Sequence, residues 1–265
     1  MKKQILITIV LCAITLASFG QNSGEFPVPL SDPAKRGKLK VDIHYGGITV
    51  KGTPRKDVLV KYSSDESRKK KSENPEGLKR ISGSTINLDV SEKGNVVLVE
   101  SSSWNTKTNL EIEVPIGFDI KVSSYNDGDI WISNIQGEIE IGTYNGGIKA
   151  ENISGSVVAS TYNGDIIVTF DKVSSVPMSY STYNGDVDLT FPALLKATLK
   201  MKTQQGEILS GFDMNVLKSE PIQKKEANGS FKVIVDEWVK ADIGGGGPEI
   251  SMRNYNGDIK IRKKG

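Results

Sequence analysis

The stretch "STYNGDIIV", residues 160–168, encodes a tight turn that opens into a strand. Asn-Gly forms the turn, and the apolar residues after it alternate with the two-residue period of a half-buried strand. Nearly the same words occur as "GTYNGGIKA" at 142–150, "STYNGDVDL" at 181–189 and "RNYNGDIKI" at 253–261. A second, looser turn lies between them, as in "NIQGEIEI" at 134–141 and "NISGSVVA" at 152–159. One period of about 18–21 residues therefore holds two turns and two strands, which indicates stacked repeats.

Aligned on the turn, the words place equivalent residues in columns. "KTQQGEI" at 202–208 fits the frame with Gln204 in the tyrosine position and Gln205 in the asparagine position. "IHYGGITV" at 43–50 is an early copy with His44 in the tyrosine position, and "SEKGNVVLV" at 91–99 is read as a degenerate copy. The tyrosines are Tyr125, Tyr144, Tyr162, Tyr183 and Tyr255. The turn pairs are Asn145-Gly146, Asn163-Gly164, Asn184-Gly185 and Asn256-Gly257, with a variant at Asn126 that carries an additional Asp127.

Strand parity predicts which of these residues form the core. Successive strand residues face opposite sides, so the first apolar residue after each turn and the residue two positions later share a face. The same count places Thr161 inward and Tyr162 outward, and it makes Trp131 an outward residue. The predicted core positions are Ile148, Ala150, Ile166, Val168, Val187, Leu189, Ile259 and Ile261, whereas Lys149, Asp188 and Lys260 point outward.

The pattern is all-β, and two architectures fit it. Asn-Gly is the strongest short hairpin signal, which favours an antiparallel β-meander or roll built on type I′ turns. The alternative is a single β-solenoid, similar to a parallel β-helix, in which each period is one rung and equivalent strands stack about 4.8 Å apart. Equivalent residues touch in a solenoid but are separated by an intervening strand in a meander. The near-identity of the turn words therefore favours the solenoid.

The first residues, "MKKQILITIVLCAITLASFGQ", have the pattern of a secretory signal peptide over 1–20. Lys2 and Lys3 precede an apolar run, and small residues precede Gln21. The run is shorter than the roughly 20 residues that a spanning helix needs, so no membrane span is expected after cleavage. Export places the protein in the periplasm, on the cell surface or outside the cell.

The remaining chain is balanced, with 32 basic and 32 acidic residues once Lys2 and Lys3 are removed. No basic surface for nucleic acid is expected from this balance. The only cysteine, Cys12, leaves with the signal segment, so neither a disulfide nor a thiolate metal site is expected. Residues 21–36 are interpreted as an extended N-terminal segment, and 37–265 as one β-strand-repeat domain that is most regular at 119–210.

Two further stretches carry a resemblance to a known family: "LKVDIHYGGITVKGTPRKDVLVKY" at 39–62 and "LEIEVPIGFDIKVSSYNDGDIWI" at 110–132. Together with the "YNGDI" words they resemble a bacterial secreted β-strand-repeat family of unknown function that is catalogued as putative adhesins. The resemblance covers roughly 37–265. It implies a β-solenoid-like fold and an envelope location, and it implies neither a reaction nor catalytic residues.

The outward tyrosines, with the acids beside them, form the candidate binding face. Regularly spaced aromatic rings flanked by polar groups could contact the sugars of a glycan or a cell-surface protein. The alternative is that stacked tyrosines only support one another. Stacked acids would repel and could invite a cation, but Gly147 and Glu207 interrupt the row and no calcium-repeat motif is present, so no metal is expected. The acids are Asp129, Asp165, Asp186 and Asp258.

These observations predict a noncatalytic, adhesin-like binding module of the bacterial cell envelope, with no cofactor. His44 is the only histidine, and no second histidine or cysteine accompanies it, so it is interpreted as a member of the tyrosine column. Two alternatives stay open. The protein could be a passive envelope scaffold, or it could be a polysaccharide-cleaving β-helix enzyme with a pair of carboxylates.

Overall fold

The computed structural model describes residues 23–65, 86–217, 222–225, 231–234 and 238–265. The predicted signal peptide over 1–20 lies outside these residues. The described residues form 23 β-strands and no helix, so none of them builds a helix able to cross a membrane. The strands are β1 (Ser23–Val28), β2 (Lys38–Tyr45), β3 (Ile48–Thr53), β4 (Val58–Asp65), β5 (Asp89–Lys93), β6 (Val96–Ser101), β7 (Lys107–Pro115), β8 (Asp119–Asn126), β9 (Ile130–Ser133), β10 (Ile139–Thr143), β11 (Ile148–Ile153), β12 (Val157–Ser160), β13 (Ile166–Phe170), β14 (Met178–Ser181), β15 (Val187–Phe191), β16 (Ala197–Lys202), β17 (Ile208–Ser210), β18 (Asn215–Leu217), β19 (Ile222–Lys225), β20 (Phe231–Ile234), β21 (Val239–Ile243), β22 (Glu249–Arg253) and β23 (Ile259–Lys263).

Two large sheets contain all but two of the described strands. The first sheet has ten strands in the order β1-β4-β7-β3-β9-β11-β13-β15-β23-β17. The second has eleven in the order β18-β21-β16-β22-β14-β12-β10-β8-β2-β6-β5. The inward residues of both sheets join in one hydrophobic core. Strands β19 and β20 pair separately as a short antiparallel ribbon.

Each repeat is a rung made of one strand from the second sheet, a corner, and one strand from the first sheet. Neighbouring rungs pair in parallel in both sheets, for example β10 with β12 and β11 with β13. The predicted solenoid is therefore confirmed, and the antiparallel meander is wrong for the repeats. From one end to the other the rungs are β6/β7, β2/β3, β8/β9, β10/β11, β12/β13, β14/β15, β22/β23 and β16/β17.

The stacking order departs from chain order at both ends of the stack. The rung β2/β3 comes first in the chain, yet it lies between β6/β7 and β8/β9. The rung β22/β23 comes last in the chain, yet it lies between β14/β15 and β16/β17. Both chain-terminal rungs are thus paired on both sides, and a rung from further inside the chain covers each of them.

Antiparallel strands close the ends of the stack. In the first sheet β4 and β1 follow β7, and in the second sheet β5 follows β6 while β21 and β18 follow β16. The reading of 91–99 as a degenerate rung copy is wrong. Gly94 and Asn95, with φ of 60° and 63°, connect β5 to β6 as a two-residue hairpin. Such strands protect the outermost parallel strands from pairing with other chains.

The core follows the predicted parity. Ile148, Ile166, Val187 and Ile259 are at most 1% exposed, and so are the residues two positions after each of them. Because neighbouring rungs are in register, equivalent side chains stack: the rings of Phe170 and Phe191 are 5.1 Å apart and nearly parallel. The parity prediction is confirmed.

Candidate functional site

Each repeat passes from the second sheet into the first at a corner that contains the Asn-Gly pair. Asparagines of neighbouring corners form isolated parallel bridges, Asn145 with Asn163, Asn163 with Asn184, and Asn184 with Asn256. Gln205 forms the next bridge with Asn256, in the position that the sequence predicted. The pair is therefore a corner between stacked strands and not the type I′ hairpin turn that Asn-Gly often makes.

Glycine is required at the corner because the neighbouring rung approaches it closely. A Cβ on Gly164 would lie 2.2 Å from the carbonyl oxygen of Gly146, and a Cβ on Gly185 would lie 2.2 Å from that of Gly164. Gly164 also has a φ of 149°, which residues with a side chain rarely adopt. Stacking therefore explains why the glycine recurs from word to word.

The asparagine side chains form a continuous hydrogen-bonded ladder. Each amide Nδ2 donates to the Oδ1 of the asparagine on the adjacent rung: Asn145 to Asn126 at 3.0 Å, Asn163 to Asn145 at 2.8 Å, Asn184 to Asn163 at 2.7 Å, and Asn256 to Asn184 at 2.7 Å. An amide inside the ladder both donates and accepts, so these half-buried groups are satisfied by copies of themselves. This ladder explains why asparagine recurs at the corners from Asn126 to Asn256.

The residue before each tyrosine faces inward and contacts a neighbouring corner. Thr161 Oγ1 donates to the carbonyl of Gly146 at 3.0 Å, and Thr182 makes the equivalent bond at 2.9 Å. Thr143 has the same place in its rung, but its buried Oγ1 has no hydrogen-bond partner among the described residues. The adjacent corner is the variant with the additional Asp127, whose φ is 51°. The additional residue Asp127 therefore lies in the corner next to the threonine whose hydroxyl is unsatisfied, Thr143.

The tyrosines stack as a column of rings on the outer face, here called the tyrosine column. The successive centroid distances are 5.2 Å for Tyr125–Tyr144 and 4.8 Å for Tyr144–Tyr162, Tyr162–Tyr183 and Tyr183–Tyr255, with interplanar angles of 16° or less. Each tyrosine is 39–48% exposed. The inner rings cover one another's faces, so their exposed parts are the ring edges. A sugar cannot lie flat on an inner ring, and contact with the column must use edges and hydroxyl groups.

Two further aromatic residues extend the column at one end. The His44 ring stacks on Trp104 with centroids 4.0 Å apart, and Trp104 meets Tyr125 edge-on at 6.4 Å. Among the described residues, His44 is thus connected to the column through Trp104, and not by stacking directly on a tyrosine as its position in the repeated word predicted. Trp104 was not predicted, because it lies in the connection between β6 and β7 and shares no frame with the repeated words.

The aspartates that follow the corner glycines accept hydrogen bonds from the backbone of the adjacent rung. The pairs are Asp129 Oδ1 with Gly147 N at 2.8 Å, Asp165 Oδ1 with Asp186 N at 2.8 Å, Asp186 Oδ1 with Asp258 N at 2.8 Å, and Asp258 Oδ1 with Glu207 N at 3.0 Å. Backbone N–H groups thus stabilise the negative charges that the sequence suggested would repel one another. The row has a structural role in holding neighbouring corners together.

A lysine adds to this compensation at one point in the row. Lys260 Nζ lies 2.5 Å from Asp186 Oδ2 and 3.6 Å from Asp258 Oδ2. The hydrogen bond from Lys260 lowers the pKa of Asp186, and the backbone N–H of Asp258 acts in the same direction against the effect of burial. In the ranges that the structure describes, no group of three or more His, Cys, Asp or Glu residues could hold a metal ion.

A groove of about 360 Å³ runs beside the tyrosine column, at the end where Gln204 replaces tyrosine. One wall is the tyrosine column itself. The opposite wall consists of residues two positions before the tyrosine position, and the floor consists of the inward residues between the walls. The lining includes two cations and no acid. The lining residues are Tyr162, Tyr183, Tyr255 and Gln204 in the first wall, Ser181, Arg253 and Lys202 in the second, and Thr161, Thr182 and Asn254 in the floor.

The sequence interpretation found the first wall of this groove and missed the second. The signal was present, because residues two positions apart on a strand face the same side. Gly142, Ser160 and Ser181 are small at this position, whereas "RNYNGDIKI" has Arg253 and "KTQQGEI" has Lys202. A change from small to basic residues along an outward column therefore marks one end of the groove.

Trp131 is a second exposed aromatic residue on the repeat surface. It is 47% exposed, in agreement with its predicted outward direction. Lys149 Nζ lies 5.3 Å from the centre of its ring, on the next strand of the first sheet. The lysine therefore shields one part of the ring by a cation–π contact.

The fold and its corners define a solenoid-like β-repeat domain. Residues 119–238 match the model of the family described as Toastrack DUF4097, which confirms the resemblance seen in the sequence. No curated protein matches the chain.

Two solved structures are similar to this chain, and the first of them shares its fold. A putative cell adhesion protein from Clostridium sporogenes has 14% sequence identity, with a TM-score of 0.52, and the match covers 91% of this chain and 99% of that one. A putative adhesin from Bacteroides fragilis has 13% identity and a TM-score of 0.37 over 92% of this chain and 98% of that one. At 14% identity, the likeness to the Clostridium sporogenes structure shows a shared fold and nothing further.

Proposed function

We propose that this protein is a noncatalytic, adhesin-like binding module of the bacterial cell envelope. It contacts a glycan or another surface partner through the exposed edge of the tyrosine column and the Asn-Gly-Asp corners beside it. The match to Toastrack DUF4097 and the adhesion-related names of the proteins with similar structures support this class of function. The expected signal peptide agrees with a place in the periplasm, on the cell surface or outside the cell.

The observation that carries the proposal is the line of exposed tyrosine edges. The four adjacent tyrosines from Tyr144 to Tyr255 are each 39–40% exposed, and their ring centroids repeat every 4.8 Å. Tyrosine edges and hydroxyls combine apolar area with hydrogen bonding at a low cost in conformational entropy, which suits them to recognition surfaces. Rings fixed by stacking lose little further freedom when a partner binds.

Two acidic groups do not match the proton donor that a glycosidase needs. A glycosidase needs a carboxylic acid that stays protonated until it donates to the leaving group, so its pKa must be raised. Glu92 and Asp186 have shifted pKa values, and both shifts are downward. Backbone N–H groups of Ser31 and Asn95 lower the pKa of Glu92, and Lys260 lowers that of Asp186. These acids are therefore held in the ionised form.

A passive scaffold is the second candidate function, and the ladders favour it. The asparagine amides, the corner glycines and the stacked rings each have a structural reason to repeat, without any ligand. Under this reading the tyrosines close the outer side of the corners and stabilise the rod.

Binding of the purified protein to a glycan array separates the two candidates. The variant carries Tyr144→Phe, Tyr162→Phe and Tyr183→Phe together, which keeps the stacked rings and removes three hydroxyl groups. We expect it to lose about tenfold or more in affinity for the array ligand, because each lost hydrogen bond contributes roughly 0.5–1.5 kcal/mol. Its melting temperature should equal that of the unchanged protein.

A second variant replaces Tyr162 by Gln, the residue that occupies the tyrosine position in the rung of Gln204. This variant tests whether an aromatic edge is needed at that point. If no array ligand or surface partner binds the protein, or if both variants bind as tightly as the unchanged protein, the contact role is refuted and the scaffold function stands.

A further inference from the structure

We propose that the groove between the tyrosine column and Arg253 binds an acidic oligosaccharide, a glycan chain whose sugars carry carboxylate groups. This inference rests on the proposed function and specifies its ligand class and its place on the molecule. It depends on the charge of one wall, the hydrogen-bonding character of the floor, and the repeat distance along the groove.

The charge of the groove selects an anion. Arg253 is exposed on one wall and forms no ion pair with any described acid. The lining contains no aspartate or glutamate. An arginine guanidinium presents paired donors that match a carboxylate, so the anionic group of a ligand is best placed against Arg253.

The floor of the groove offers hydrogen-bond acceptors, so it suits a ligand that carries donors. The hydroxyl protons of Thr161 and Thr182 are directed to the carbonyls of Gly146 and Gly164. What these two side chains still offer is the lone pairs of their oxygens. A sugar hydroxyl is a donor that fits such an acceptor, whereas a fully ionised phosphate or sulfate ester has no proton to give.

Asn254 adds an acceptor that the fold leaves without a partner. It takes the place that threonine has in the neighbouring rungs, it lines the groove, and it is 3% exposed. Its Nδ2 donates to the carbonyls of Gly185 at 3.2 Å and Asp258 at 3.4 Å, while its buried Oδ1 has no hydrogen-bond partner among the residues that the structure describes. Leaving a buried carbonyl unpaired is unfavourable, so a ligand donor that reaches this Oδ1 by displacing the atoms that cover it would remove that cost.

The repeat distance suits a polymer. Tyr162, Tyr183 and Tyr255 follow one another at 4.8 Å along one wall. A chain of similar sugars can therefore meet similar groups on successive rungs. Arg253 lies toward one end of the groove, so the ligand's carboxylates should lie at that end.

Titration of the purified protein with short galacturonic acid oligomers, followed by calorimetry, tests this inference. We expect binding that weakens as the salt concentration rises, because charge attraction contributes to it. A neutral galactose oligomer of the same length supplies the hydroxyls without the carboxylates. Inorganic polyphosphate supplies the charge without the hydroxyl donors. Both should bind at least about tenfold more weakly, as expected when charge-assisted or neutral hydrogen bonds are lost.

Two substitutions use residues that the fold already accepts at equivalent positions. Arg253→Ser copies Ser181 of the adjacent rung and should weaken oligogalacturonate binding about tenfold or more. Asn254→Thr copies Thr182 and should weaken it several-fold without lowering thermal stability. Lys40→Ser is the matched control, because it removes an exposed charge from the outer face of β2, outside the groove.

The outcomes distinguish this inference from the proposed function. If Arg253→Ser and Lys40→Ser have equal effects, or if polyphosphate or the neutral oligomer binds as well as oligogalacturonate, the acidic-sugar groove is refuted. A neutral array ligand that still depends on the tyrosine hydroxyls would overturn this inference and leave the binding module intact. Absence of any glycan or surface ligand would overturn both.

Discussion

Replacement of Asn163 by alanine should destabilise the protein far more than its half-exposed position suggests. Asn163 Nδ2 donates to Asn145 at 2.8 Å, and its Oδ1 accepts from Asn184 at 2.7 Å. Alanine removes both bonds. It also leaves an acceptor on one neighbour and a donor on the other without their partners, in a place that water reaches poorly.

The magnitude follows from those two bonds. Each contributes roughly 0.5–1.5 kcal/mol, and leaving a partly buried polar group unpaired adds a cost toward the lower end of about 1–3 kcal/mol. We expect the free energy of unfolding to fall by about 2–4 kcal/mol. Asn256→Ala is the matched control, because the bond from Asn256 to Asn184 at 2.7 Å is its only contact in the ladder. Its cost should be about half as large.

Urea unfolding monitored by circular dichroism measures both values, with the dependence on urea concentration compared among variants to verify that the transition stays cooperative. Asn163→Asp gives a second reading. Aspartate keeps the shape but sets a carboxylate oxygen against Asn145 Oδ1, so two acceptors face each other. The free energy of unfolding should therefore fall further than with alanine at neutral pH. It should rise again when acidification protonates the new carboxylate. Equal costs for Asn163→Ala and Asn256→Ala would refute the ladder as a source of stability.

Three further perturbations test other parts of the corner. Gly164→Ala places a Cβ 2.2 Å from the carbonyl oxygen of Gly146 at a φ of 149°, and urea unfolding should show a loss of about 3–5 kcal/mol. Tyr162→Ala removes the stacking contacts with Tyr144 and Tyr183 and should lower the free energy of unfolding by about 1–3 kcal/mol. Tyr162→Phe keeps both contacts and should melt like the unchanged protein. Equal melting temperatures for the two variants and the unchanged protein would contradict the stacking account. Asp186→Asn removes the charge that meets Lys260. Because the pKa of Asp186 is lowered in the folded state, its contribution is present above the ordinary value of 3.8 and disappears as pH falls through the lowered pKa. The stability difference between the two proteins should therefore shrink in acid, from no more than about 1 kcal/mol at neutral pH because the pair is partly exposed; a difference that grows in acid would contradict this sign.

The strand pattern and the repeated words made much of the fold predictable. Strand residues alternate between two faces, so one inward residue such as Ile166 determines the direction of Val168 and Tyr162. The repetition of a turn word indicated that the turns touch, and the asparagine bridges and stacked rings confirm this contact.

The stacking order was not predictable, because every word offers nearly the same contacts to a neighbour. The word at 253–261 fits beside the word at 181–189 as well as "KTQQGEI" does, and the connections between rungs decide which one takes the place. The hairpin at Gly94 and Asn95 was misread for a similar reason, since glycine beside asparagine serves both a corner and a two-residue turn.

The sequence predicted which residues belong to the candidate binding face. It did not predict which parts of their side chains are accessible. That Tyr144, Tyr162 and Tyr183 point outward follows from parity. That their faces cover one another depends on side-chain rotamers and on close register between rungs, which the sequence does not express. The groove is a further consequence of three columns lying side by side, and only its change from small to basic residues is visible in the chain.

The inserted position of the last rung gives the protein an exchangeable layer. Residues 249–263 pair in parallel with a rung on each side, and they carry Tyr255 for the column, Asn256 for the ladder and Arg253 for the groove. Without residues 249–263, β14, β15, β16 and β17 would each lose a parallel partner, and the stack would present a slot lined by unpaired strand edges. A separate peptide with the sequence of the last rung has every group needed to fill that slot. The architecture is thus suited to strand complementation, in which the C-terminal segment of one molecule completes the stack of another.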